Sequence, residues 1–80
     1  MMSSTTTLWR LQKDGHSIIC IASGEPGHEE MRVLVDNEVY FTEMHSVHEG
    51  LIARAGVLQR GYAARGWTLS AASGPHEPPA

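Results

Sequence analysis

Three side chains in the stretch "HSVHEG", His45, His48 and Glu49, are of the types that hold a metal ion. A zinc site needs three or four nitrogen, sulfur or carboxylate ligands that converge, with deprotonated imidazoles oriented by further hydrogen bonds. His28 or Cys20 could complete such a set. The H-x-x-H spacing matches neither the H-E-x-x-H helix of zinc peptidases nor a paired C-x-x-C framework, so these three are weak metal candidates. A second reading explains the serine as well. "SVHE" has the form of a capping box, in which Ser46 accepts from the Glu49 amide and the Glu49 side chain returns to the Ser46 amide. The charge of Glu49 also suits the positive end of a helix. The stretch is therefore expected to be where sheet passes to helix, with His48 at the border of the buried stripe.

Other reactive groups are few. Cys20 could act as a nucleophile if a cation or a helix start lowered its pKa, but in mid-strand opposite Trp9 it reads as a small buried hydrophobe. No Ser/His/Asp set has the framing glycines of a nucleophile elbow, and "SGEPG" lacks the lysine of a phosphate loop. Catalysis has no sequence support, and no cofactor is implied.

The elements that must position these residues begin with "LWRLQK", "DG" and "HSIICIA", two hydrophobic runs around the dipeptide best suited to a type I′ turn. With Asp14 and Gly15 at the tip, Lys13 faces His16, Leu11 faces Ile18 and Trp9 faces Cys20. "SGEPGHEE" reads as a loop. "MRVLV", "DN" and "EVYFTEM" repeat the hairpin logic, since Asp36 and Asn37 both tolerate the left-handed conformation. That register sets Leu34 opposite Val39, Val33 opposite Tyr40 and Arg32 opposite Phe41.

From Val47 the period changes. Leu51, Ala55, Leu58 and Tyr62 recur at helical spacing, an amphipathic helix with one buried stripe. Gly50, Gly56 and Gly61 each cost up to about 1 kcal/mol relative to alanine, so the helix must depend on docking. It is expected to end near Gly66, with Trp67 folding back as a closing contact.

Together these elements predict an α+β domain: an antiparallel four-stranded meander with one C-terminal helix packed on one face, β-β-β-β-α. Its helix-side core is expected to be Trp9, Leu11, Ile18, Cys20, Met31, Val33, Val35, Tyr40, Leu51, Ala55, Leu58 and Tyr62. The domain should span 8–68, between disordered tails at 1–7 and 69–80. One helix covers one side of such a sheet. Leu8, Ile19, Ile21, Leu34, Val39 and Phe41 are then left on the other, an apolar face of the kind that marks an interface.

Composition narrows the partners. About sixty residues remain for a core, a size at which chains pack unusually well or associate. Nine acidic residues against six basic ones give a net charge of −3, which argues against nucleic acid as the partner, and no basic amphipathic face points to a membrane. A single cysteine and no leader-like run after "MMSSTTT" lead to the expectation of a cytoplasmic protein.

"WRLQKDG", a cysteine five residues beyond that glycine, "LVDNE" and a helix closing on "RGW" resemble a group of small bacterial proteins of unknown function. The resemblance covers Leu8 to Trp67 and implies the fold but no activity. The leading expectation is a non-enzymatic interaction module, a homodimer or a protein-binding unit using the open sheet face. The alternatives are a small metal-binding protein using His45 and His48, and a ligand pocket between helix and sheet near Tyr40, His48 and Gln59.

Overall fold

The computed structural model describes residues 5–70. Its strands are β1 (Thr5–Lys13), β2 (His16–Glu25), β3 (His28–Val35) and β4 (Glu38–His45), followed by α1 (His48–Ala63) and a two-residue β5 (Thr68–Leu69). The sheet order is β4-β3-β2-β1-β5, so the antiparallel meander of an α+β fold is present with one more strand on the β1 edge. β5 lies antiparallel to β1, Leu69 opposite Leu11 and Thr68 opposite Gln12. The expected tails therefore give up Thr5–Thr7 to β1 and Leu69 to β5, and their remaining ends at 1–4 and 71–80 lie outside the described residues.

Turn chemistry explains the connections. Asp14 and Gly15 both have positive φ, 54° and 83°, as a type I′ turn requires, and the β1–β2 pairing follows the expected register from Lys13 opposite His16 to Trp9 opposite Cys20. Asp36 and Asn37, at 51° and 73°, make the equivalent turn between β3 and β4. "SGEPGHEE" is not a loop. β2 and β3 continue through it as far as Glu25 opposite His28, and Pro26–Gly27 alone makes the turn. Proline followed by a residue of positive φ is the pairing that type II turns favour, so two residues suffice.

The core lies between the sheet and α1. Trp9, Leu11, Ile18, Cys20, Met31, Val33, Leu51 and Ala55 are buried, and Val35, Leu58 and Tyr62 pack partly buried against them. Alternation along β1, β2 and β3 places these strand residues on one face, and the three- and four-residue spacing of α1 meets them. Tyr40 is the exception, 67 % exposed rather than in the core.

Two bulges account for the differences. Thr7 pairs with Ile21 and Trp9 with Cys20, so Leu8 is an extra residue in β1; Leu34 pairs with Val39 and Val33 with Phe41, so Tyr40 is extra in β4. Each bulge shifts the alternation by one. Leu8 and Phe41, both expected on the open face, pack instead against the helix-side core. Phe41 takes the place opposite Val33 that the regular register gives to Tyr40, and the two rings meet edge to face at 5.7 Å.

The ends of α1 differ in how they are closed. At the start Val47 is the N-cap, with no side-chain cap bond, so the Ser46–Glu49 capping box is not formed. β4 remains paired through His45, opposite Glu29, and the helix begins at His48; that puts Ser46 one position before the cap, out of step with Glu49. Glu49 still places a negative charge in the first turn. At the other end Gly66, with φ 100°, lets Trp67 N–H reach the Tyr62 carbonyl and Gly66 N–H reach that of Ala63, the paired bonds of a Schellman ending. Its hydrophobic contact is the Tyr62–Trp67 ring pair at 6.5 Å, and Tyr62 meets Trp9 at 6.1 Å.

Candidate functional site

The histidines of "HSVHEG" turn apart. His45 Nε2 lies 3.1 Å from Glu43 Oε1 within β4, whereas His48 Nδ1 reaches back to Glu29 Oε1 on β3 at 2.8 Å. Arg54, two turns along α1, donates to Glu43 at 3.1 Å and ties helix to sheet. Glu49 is exposed, His28 sits exposed beside the β2–β3 turn, and Cys20 is buried in mid-strand. Among the described residues no three His, Cys, Asp or Glu side chains are grouped to hold a metal ion. Instead the two imidazoles go to two separate carboxylates, and His48 on Glu29 with Arg54 on Glu43 pins the first turns of α1 to β3 and β4.

Cys20 has the environment of a packed thiol. Burial, with a smaller contribution from the nearby Glu43 charge, pushes its pKa up to about 11, so the nucleophilic thiolate is scarce at neutral pH.

The expected pocket around Tyr40, His48 and Gln59 is not assembled. His48 lines a cavity of about 220 Å³ with Thr6, Leu8, Ala22 and Ile52, while Gln59 lines a separate one with Thr7, Trp9 and Leu69; Tyr40 borders neither.

What the fold leaves open is the sheet face opposite α1. Cross-strand pairing sets Arg10, Ile19, Leu34 and Val39 in one row, and Thr7, Ile21, Arg32 and Thr42 in the next. No described element lies over these rows. Of the six residues assigned to this face, Ile19, Ile21, Leu34 and Val39 remain on it. Val39 is 55 % exposed, and the other three are half-buried among their neighbours. Arg32 does not stand as a free charge among them, since its Nε donates to Glu30 Oε2 at 3.0 Å and its Nη2 to Oε1 at 3.3 Å.

One end of this face carries a polar structure with no clear signal in residue spacing. Asp36, in the second hairpin turn, accepts from the Ser17 amide at 3.0 Å through Oδ1 and meets His16 Nδ1 at 2.8 Å through Oδ2. Its own amide donates to the Ser17 carbonyl at 2.9 Å. The two hairpin tips are thereby locked together. The Ser17 amide first, and the His16 ring second, hold the Asp36 carboxyl below its ordinary value. Only the left-handed backbone at Asp36 hinted at a special role; its partners lie about twenty positions away in sequence, beyond any local pattern.

No described helix is long and apolar enough to cross a membrane. Compared with protein families, with characterised proteins and with solved structures, the chain matches none of them.

Proposed function

We propose that this chain is a non-enzymatic interaction module that self-associates through the open sheet face, as a two-fold dimer stacking sheet on sheet. The observation that supports it is the uncovered cluster of Ile19, Ile21, Leu34 and Val39, contributed by three adjacent strands. Apolar side chains gathered on a face that no element covers gain about 25 cal/mol per Å² when a partner removes them from water. A second copy is the simplest partner because a two-fold axis brings the same apolar rows together, in the aligned packing that twisted sheets adopt. The pairing of Arg32 with Glu30 on the same strand keeps such stacking from opposing two uncompensated charges at its centre. The cytoplasm is the proposed compartment, on the strength of the single unpaired cysteine.

Size-exclusion chromatography with light scattering tests the reading on the full chain. The expected result is a mass approaching twice 8.7 kDa that falls to the single-chain value on dilution. The double variant Ile21→Thr, Leu34→Thr keeps residues that suit strands while removing apolar surface, and should be monomeric at concentrations where the parent is dimeric. A parent that stays monomeric at the highest attainable concentration would sink the proposal.

A further inference from the structure

The two locked hairpin tips and the short β5 enclose an open cleft of about 610 Å³ at one end of the uncovered face. That lies within the range of about 300–1,000 Å³ typical of small-molecule sites. Arg10, Gln12, His16, Ser17, Asn37 and Thr68 contribute to its wall, with Ile19 as an apolar neighbour.

Arg10 is the distinctive member. Arg32 and Arg54 are held by glutamates, and Lys13 Nζ donates to the Arg65 carbonyl at 2.7 Å; the side chains of Arg10, Arg60 and Arg65 have no ion pair or hydrogen bond among the described residues, and of these three only Arg10 lines the cleft. The acidic groups nearby do not answer it. Both Asp36 oxygens are engaged, one by the Ser17 amide and one by His16, and Asp14, which lines the same cleft at the hairpin tip, forms no ion pair with Arg10. Arg10 and Lys13 against Asp14 leave the cleft lining with an excess of positive charge, a local reversal of sign in a chain of net charge −3, and Arg10 is exposed to it. The guanidinium fork matches carboxylate and phosphate oxygens, and the Gln12 and Asn37 amides with the Ser17 hydroxyl add neutral donors around it. Because Asp36 engages His16 at Nδ1, the ring is held in orientation with Nε2 left to meet a ligand.

The geometry points to a binding site for a small organic anion, with Arg10 taking its carboxylate or phosphate group and the Asp36-anchored His16 meeting the rest of the molecule. Arg10 and Ile19 share a row with Leu34 and Val39, so the cleft borders the proposed dimer face; all of its polar members come from one copy, and titration at a concentration where the chain is monomeric separates this inference from the dimer.

The test is an NMR titration of the full chain with inorganic phosphate and, separately, with acetate. It follows the Arg10 Nε–H, the Gln12 and Asn37 side-chain amides and the Ser17 and Thr68 backbone amides. Saturating shifts confined to these groups are expected with at least one of the anions, and which one saturates identifies the ligand's charged group. Arg10→Gln should weaken binding about tenfold or more, the effect of losing one charge-assisted contact. Arg60→Gln, on the outer side of α1, should leave it unchanged. Arg10→Lys keeps the charge without the fork and should weaken binding less than Arg10→Gln; it carries the comparison if the glutamine variant fails to fold. The inference is overturned if neither anion saturates, or if the Arg10 and Arg60 variants titrate alike.

Discussion

The indole Nε1 of Trp9 donates a 2.9 Å hydrogen bond to the backbone carbonyl of Ala55, joining the first strand to the middle of the helix across 46 positions of sequence. Both residues are buried, and Tyr62 stacks its ring edge to face with the same indole. A helix carrying three internal glycines is held in place here by a directional bond as well as by apolar contact. Trp9→Phe keeps an aromatic ring but removes the donor and part of the volume. It should cost about 1–3 kcal/mol of stability, read from urea unfolding.

The β4 bulge decides which of two adjacent aromatic residues belongs to the core. Phe41→Ala should destabilise by about 2 kcal/mol or more, while Tyr40→Ala, largely in solvent, should change stability by less than about 1 kcal/mol. Equal costs in thermal or urea unfolding would contradict the bulged register.

Glycine substitutions should split in sign. At Gly24, with φ 106°, an added Cβ would lie 2.5 Å from the His28 carbonyl oxygen across the hairpin, so Gly24→Ala should cost about 1–3 kcal/mol. At Gly61 in α1 nothing lies within 4 Å of an added Cβ, and Gly61→Ala should stabilise by up to about 1 kcal/mol through helix propensity. Calorimetric Tm values of the two variants should move in opposite directions.

Acid should loosen the tips. The folded Asp36 carboxyl titrates below its ordinary value of 3.8, so its contribution to stability is present above that value and is lost as pH falls through the lower folded one. Asp36→Asn removes this titration while retaining a side chain that tolerates the left-handed backbone. The stability gap between parent and variant, measured by urea unfolding across pH, should therefore shrink as pH falls below the ordinary carboxylate range.

Cys20 reports on global opening. Its burial and a pKa near 11 predict that a thiol reagent labels it in the native state only at the rate of unfolding, and at once in denaturant. Rapid labelling of the native chain at neutral pH would show that the β2 centre is accessible.

Much of the fold is legible in the residues themselves. The Asp14–Gly15 and Asp36–Asn37 turns and the apolar alternation around them specify two hairpins, and the Leu51, Ala55, Leu58, Tyr62 spacing specifies the helix and its buried stripe. These are short-range effects of backbone sterics and side-chain period, which is why the register from Lys13 to Trp9 follows directly. The histidine stretch was legible only as a boundary. Its serine and glutamate suggested a cap, but the persistence of β4 through His45 moved the helix start by a residue and left Val47 in that place.

What the sequence determined, then, is the hairpin-hairpin-helix order and nearly all of the buried core, because alternation and turn propensity act between near neighbours. The tertiary structure alone decided the bulges at Leu8 and Tyr40, the pairing of β5 with β1, and the partners of His16 and His48, on Asp36 and Glu29, about twenty positions away. A bulge needs only one extra residue, and its place is set by which side chains the opposite strand and the helix can bury. That selection thinned the open face to Ile19, Ile21, Leu34 and Val39. The docking of the two turns left Arg10 facing a cleft, because contacts between distant segments have no period to announce them.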